Sequence, residues 1–518
     1  MLSVNSCVNA PASPYALLLL LLAAVLGGCS NSDDNNNNNI ATATLGVPGA
    51  GNANTVAVPP ATLDGPLAGK AVLVSTFFSL ASQGYEQAEY LVSGTANAYT
   101  NVNEFDSDGQ WQVQASDQAH YKTRIVVNRP IDPADFNGTV FVEWLNVSAG
   151  FDSAPEWGML HTELIRQGYA WVGVTAQKVG VNSLLDGSAA ALVGGDANRY
   201  TDLYHPGDQY AFDIYSQIAQ AIRAPGDAAP LNLTAQRLIA AGESQSAHYL
   251  MTYVNAFAPM HALFEGYFVH SRLASSAGLA GKFLEDSDRS MPEVVRVRAD
   301  LGTPVIMLQT ETDLFVLGSY PSNQSDSSNF RLWEVAGTAH ADLYTFLDNR
   351  VDVGDNPDIA AVVENANPIP GIIDCAKPVN AGPQHFVANA AVRALNTWLV
   401  EGTPPEMADR FDVAGSPATF VLDELGNVKG GVRTPYVDAP IAILSGEGQP
   451  RDGAGFCFLS GTTVLFDAST LGSLYADNAA YIQAVNSTTD DAVDKGFLIP
   501  EDAALIKTYA AGSDIFAR

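Results

Sequence analysis

Three side chains in this sequence have the types, and the order along the chain, for covalent chemistry on a carbonyl carbon: Ser244 in "AAGESQSAHYL", Asp313 in "TETDLF" and His340 in "TAHADLY". A serine hydroxyl is a weak nucleophile until an imidazole takes its proton, and the imidazole needs a carboxylate to hold its tautomer and stabilise its charge. Together the three would perform acyl transfer. Gly242, Glu243, Ser244, Gln245 and Ser246 follow the G-x-S-x-G form of a sharp strand-to-helix turn, in which the residues two before and two after the serine must be small. Ser246 replaces the second glycine and is still small.

"TETD" offers two carboxylates, Glu311 and Asp313. If "PVIMLQ" is a strand, Glu311 stays near its end, while Asp313 lies far enough along the following loop to face His340. Asp313 is therefore the expected acid and Glu311 the alternative. An oxyanion formed at the carbonyl needs backbone N–H donors, and the expected ones are Gln245, directly after the serine, and Asn146 and Val147 in the small-residue loop "NVSAG". Trp144, Phe151 and Trp157 are candidate walls of an apolar substrate pocket, with core packing as the competing reading. His161 and His270 read as structural, and His248, one turn beyond Ser244, is expected to point along its helix. No metal-ligand spacing, phosphate-binding glycine loop or dinucleotide fingerprint is evident, so no cofactor and no metal are expected.

The elements that must position these residues alternate. "GTVFVEWLN" (138–146), "YAWVGVTAQ" (169–177), "QRLIAAG" (236–242), "EGYFVHS" (265–271), "TPVIMLQ" (303–309) and "RLWEVAG" (331–337) are short apolar runs with strand character. Between and after them, 155–168, 211–222 and 383–400 carry apolar residues at helical spacing, the second behind Asp208 as a candidate N-cap. Such alternation predicts an α/β architecture, a mostly parallel sheet covered by helices on both faces. Segments 178–207 and 272–302 have weak periodicity and are candidates for loops or a cap.

On "AAGESQSA", "TETD" and "WEVAGTAHAD", and more loosely on "YKTRIVVNRP" and "GYAWVGVTAQ", the chain resembles a family of bacterial α/β-hydrolase-domain proteins, over nearly all of residues 56–518. The resemblance implies the α/β-hydrolase fold, with cap or loop insertions and a C-terminal extension. It also implies a triad of Ser244, Asp313 and His340, and it implies little about substrate. Three readings follow: a carboxylic ester hydrolase, an amidase or peptidase on the same triad, and a binding lipoprotein that kept the fold without catalysis.

Composition bounds the rest. With 56 acidic and 25 basic residues the 518-residue chain carries a net charge of −31, which repels nucleic acid and anionic membrane surfaces. The expected partner is a small-molecule ester. Residues 1–28, with "YALLLLLLAAVL" before "LGGC", read as a lipoprotein signal in which Cys29 is lipidated, although no Lys or Arg occurs in residues 1–15. The Asn- and Gly-rich stretch 29–55 then reads as a tether, and 56–518 as one domain. The expected location is an exported lipoprotein at the outer membrane, cell surface or periplasm, touching membrane only through the lipid. Cys375 and Cys457 are the remaining pair, and an oxidising compartment favours a disulfide between them. Oligomeric state is left open.

Overall fold

The computed structural model describes residues 55–223, 232–281, 291–453 and 455–517. The expected signal, Cys29 and the tether up to residue 54 lie outside the described residues.

Nine strands form the main sheet: β1 (Thr62–Asp64), β2 (Tyr85–Asn101), β3 (Val113–Pro130), β4 (Thr139–Trp144), β5 (Ala170–Val174), β6 (Arg237–Glu243), β7 (Gly266–His270), β8 (Val305–Thr310) and β9 (Phe330–Val335). Their order across the sheet is β1-β2-β3-β5-β4-β6-β7-β8-β9. From β5 to β9 the neighbours are parallel, while β1, β2 and β3 add an antiparallel edge in which β2 and β3 pair from Tyr85↔Pro130 to Asn101↔Val113. The apolar runs form central strands because both of their faces are covered, and every residue of β4, β5, β7, β8 and β9 is buried.

Strand alternation divides the core into two layers. Val140, Val142 and Trp144 of β4 and Leu238 and Ala240 of β6 face one side, where they pack with Ile214, Tyr215 and Ile218 of helix Ala211–Arg223 and with Tyr249 and Leu250 of helix Gln245–Thr252. Phe141, Ile239 and Ala241 face the other side, against Trp157, Leu160 and Leu164 of helix Pro155–Arg166 and Phe386, Val387 and Leu395 of helix Gln384–Glu401. The chain moves outward from β4 to β5 and then returns to place β6 on the opposite side of β4. The order therefore reverses between β4 and β6, and the loops after these two strands diverge to leave a crevice.

Two sequence expectations are corrected. Asp208 does not cap helix Ala211–Arg223: it starts a short 3₁₀ turn, Asp208–Tyr210, and its carboxylate accepts the Lys178 N–H (2.6 Å) and the Gln177 amide (3.3 Å). Segment 178–207 is partly helical, over Lys178–Leu185 and Ser188–Val193, because Val181, Leu184 and Ala190 find their own small core with Val72, Leu91 and Phe151. Among the described residues of 272–302 there is no helix or strand.

The extension after helix Gln384–Glu401 includes the hairpin of Ala442–Ser445 with Thr462–Leu465, and the helices Ala468–Leu474, Asn478–Asp494 and Pro500–Gly512. Leu471, Tyr481, Val485 and Ile506 join the second core layer. Cys375 and Cys457 are bonded as a disulfide, and both are buried beside Leu343, Ile369 and Ile373.

Candidate active site

Ser244 stands at the tip of the turn between β6 and helix Gln245–Thr252, with φ 57° and ψ −115°. A non-glycine residue in that region is strained, and the surroundings hold it there: its N–H donates to the His270 carbonyl at 2.9 Å, and Gly242 leaves room for the turn. A Cβ at Gly242 would lie 2.9 Å from the carbonyl carbon of Ser246 and 3.1 Å from its Cβ. Glycine at 242 thus lets a serine stand at 246. Ser246 is itself fully buried.

The crevice brings the three distant side chains together. The Ser244 hydroxyl lies 3.0 Å from Nε2 of His340, and Nδ1 of His340 lies 2.7 Å from Oδ1 of Asp313. The ring orientation assigns the proton to Nδ1, which donates to Asp313 and leaves Nε2 free to accept from Ser244. Asp313 is fully buried, and its Oδ2 accepts the Thr310 N–H at 2.7 Å. The His340 loop is held by its own N–H donating to Thr312 Oγ1 (3.2 Å), whose hydroxyl in turn donates to the Gly446 carbonyl (2.6 Å).

Asp313 was expected on a loop. It sits instead in a single helical turn, Glu311–Phe315, where Thr310 and Asp313 form a reciprocal capping box. The helical turn also separates the two carboxylates. Glu311 points away from the imidazole and accepts the Gly337 N–H (2.7 Å) and the Gly446 N–H (2.8 Å), so it joins the loop after β9 to the C-terminal hairpin. Burial pushes its carboxyl up to about 8. The alternative acid is therefore a tie between segments, without contact to His340.

Two of the expected oxyanion donors are already engaged. The Asn146 N–H donates to the Ser153 carbonyl (3.0 Å), which corrects its assignment, while its side-chain amide donates to the Glu243 carbonyl (3.1 Å). The Val147 N–H donates to Oε1 of Gln245 at 3.2 Å. The Gln245 amide is fixed from behind, because its Nε2 donates to Oε1 of Gln177 (2.8 Å), which also accepts Trp144 Nε1 (3.2 Å). As the first N–H of its helix, that of Gln245 has no carbonyl within the helix to meet. The aromatics expected to wall a pocket are core residues. Trp144 packs on Tyr215 (4.9 Å) and Tyr249 (5.4 Å), Trp157 packs on Trp171 of β5 in the second core layer (5.3 Å), and Phe151 lies in the small third core.

Sequence reasoning missed the residue beside the nucleophile. Oε1 of Glu243 lies 3.1 Å from Nε2 of His340, the same nitrogen that accepts from Ser244. Its only advance signal was its place inside the elbow. Burial raises the Glu243 carboxyl to about 7, although the nearby imidazole opposes the rise. Burial by itself would lower His340, but the carboxylates of Glu243 and Asp313 outweigh it and hold the imidazole up, at about 8. Behind them, His270 is kept neutral, at about 4, by burial, with Glu156 at 3.3 Å from Nδ1 and the Gln384 amide at 3.1 Å from Nε2. His161 and His248 are buried, and His161 is bound to backbone carbonyls of Trp157 and Asp352, as structural histidines are.

The Glu243 contact has a measurable consequence. His340 accepts the serine proton only when neutral, so a neighbouring anion that favours the imidazolium moves the acid limb of the kcat/KM profile to higher pH. Glu243→Gln removes that anion, and the acid limb is expected to move from near 8 toward the ordinary imidazole value of 6.5. A limb that stayed in place, or moved up, would show that Glu243 does not act on His340.

Residues 55–508 match the family model described as an alpha/beta hydrolase domain. Against the curated proteins the chain has no match. Solved structures with similar segments include a thermostable esterase from Pseudomonas putida, 13% identical, with 46% of this chain and 66% of that one covered and a TM-score of 0.26. One of two fungal esterases from Rhizomucor miehei is 11% identical over 60% of this chain and 86% of its own, with a TM-score of 0.28. A serine hydrolase without a lid from Xanthomonas campestris is 14% identical over 46% and 83%, with a TM-score of 0.27.

Proposed function

The chain belongs to the α/β-hydrolase domain family, whose model spans residues 55–508, and from that premise we propose that it is a serine hydrolase acting on carboxylic esters. The observation that carries this reading is the unbroken relay from Ser244 through His340 to Asp313, with links of 3.0 and 2.7 Å. In this reading Ser244 Oγ bonds to the ester carbonyl carbon while its proton passes to Nε2 of His340. The carbonyl oxygen takes up negative charge against the Gln245 N–H, and the Val147 N–H joins once the Gln245 side chain releases it. As the tetrahedral intermediate collapses, the C–O bond breaks, the alcohol leaves with the proton from His340, and the acyl group stays on Ser244. Water then repeats the sequence, its proton going to His340 and on to Ser244 as the carboxylic acid leaves.

An ester is favoured over an amide by the charge around His340. An amine must be protonated before the C–N bond breaks, whereas an alcohol departs with less proton transfer, and an imidazolium stabilised by Glu243 and Asp313 is a weaker proton donor. For an ester and an amide of the same acyl group, kcat/KM for the ester is expected to be higher by about 10²-fold or more. Equal rates would make it an amidase. Failure to cleave either across a series of acyl lengths, together with no fluorophosphonate labelling, would favour the non-catalytic binding protein.

A further inference from the structure

The molecule holds a cleft of about 980 Å³, within the size range of small-ligand sites. Phe77, Phe78, Leu192, Phe346 and Val351 are among its lining, whereas Ser244, Gln245, Asp313 and His340 are not. The cleft forms where the segment around Thr76 lies over helix Pro155–Arg166. There the Trp157 indole N–H donates to Thr76 Oγ1 (2.9 Å), Phe78 stacks on His161 (5.4 Å), and the Phe77 N–H donates to the Arg350 carbonyl (2.8 Å). Phe77 is 53% exposed and Val351 47% exposed, so apolar surface remains for a ligand to cover.

Arg350 lines the same cleft, with Lys70 at its exposed rim. Its guanidinium has no hydrogen-bond or ion-pair partner among the described residues, and burial lowers its pKa with no carboxylate to oppose the shift. Arg124 is matched by Glu89 and Asp152, Arg166 by Glu163 and Asp502, and Arg393 by Glu163 and Glu501, while the buried Arg272 and Arg331, which also lack a carboxylate, donate to the carbonyls of Val295 (2.7 Å) and Pro405 (2.7 Å). In a chain with 56 acidic residues, a guanidinium left without a carboxylate in an apolar cleft stands out. A planar guanidinium matches a carboxylate in two parallel hydrogen bonds, and the desolvated surroundings strengthen them.

We propose that this cleft binds a small amphipathic carboxylate, its apolar body against Phe77, Phe78 and Phe346 and its head group on Arg350. The inference is independent of the reaction at Ser244, because none of the residues proposed for that reaction lines the cleft. Dodecanoate, below its micellar concentration, is the probe, and dodecanol is its uncharged counterpart, each titrated calorimetrically into the full chain. Saturable 1:1 binding of dodecanoate is expected, at least about tenfold tighter than that of dodecanol. Arg350→Met should remove that difference. Phe77→Ala, at a position 53% exposed, should weaken both ligands. Binding should also persist after Ser244 is blocked by a fluorophosphonate. Absence of saturable binding, equal affinity for the two probes in the native chain, unchanged dodecanoate affinity in Arg350→Met, or loss of binding on blocking Ser244 would each overturn the proposal.

Discussion

Ser244→Ala is expected to lower kcat by roughly 10³- to 10⁶-fold while leaving the melting temperature close to that of the native chain. The loss is large because the whole relay acts through one oxygen: without Oγ, His340 has no proton to take and no acyl intermediate forms. Some rate over water should survive, since the Gln245 N–H still meets a developing oxyanion. The fold should survive as well, because the turn is held by the Ser244 N–H on the His270 carbonyl and by the absence of a side chain at Gly242, neither of which the substitution touches. A fluorophosphonate should label the native chain at Ser244 and the variant not at all. Labelling at Ser246 would sink the assignment, but Ser246 is fully buried on the inner side of the turn, within 3.1 Å of where a Cβ on Gly242 would stand.

Asp313→Asn should lower kcat by up to about 10⁴-fold, whereas Glu311→Gln should lower it by about tenfold or less. The two carboxylates are two residues apart, yet the structure gives them different work. Asp313 accepts Nδ1–H of His340 on one oxygen and the Thr310 N–H on the other. An amide in its place must turn an NH₂ group toward one of these donors. If it faces the imidazole, the tautomer reverses and Nε2 can no longer accept from Ser244; if it faces Thr310, the capping box is broken. Glu311 meets the Gly337 and Gly446 N–H groups instead, so its amide replacement opposes a buried backbone N–H rather than the imidazole. That should cost about 1–3 kcal/mol of stability and appear as a lowered melting temperature rather than a lost rate. A large loss of turnover in Glu311→Gln beside a small one in Asp313→Asn would reverse the assignment.

The contrast between these two positions shows how far one-dimensional reading reaches. The order of serine, acid and histidine was legible because each stands at the end of an apolar run, and a strand end is a local feature of composition and period. The elbow was legible for the same reason: it needs small residues at 242 and 246, and steric demands inside five residues do not depend on the rest of the molecule. Even the choice of Asp313 over Glu311 came from distance along the chain, although the loop imagined there is a helical turn. Short-range turn chemistry, the capping box between Thr310 and Asp313, overrode an extended path that no apolar period specified.

By itself, then, the sequence determined the alternation of strand and helix, the parallel centre of the sheet and the identity of the residues brought to its crevice, because period and turn geometry act over a few residues. Tertiary structure alone decided what those residues meet. Glu311 finds Gly446 across 135 positions, and the His340 imidazole reaches Ser244 across 96 and shares Nε2 with Glu243. The Val147 N–H is occupied by an amide 98 residues away, and Trp144 and Trp157 were assigned to opposite core layers by the alternation of β4 and the register of a helix against it. Contacts of that range depend on which strands become neighbours and how far the sheet twists, and no pattern of spacing within one segment carries that information.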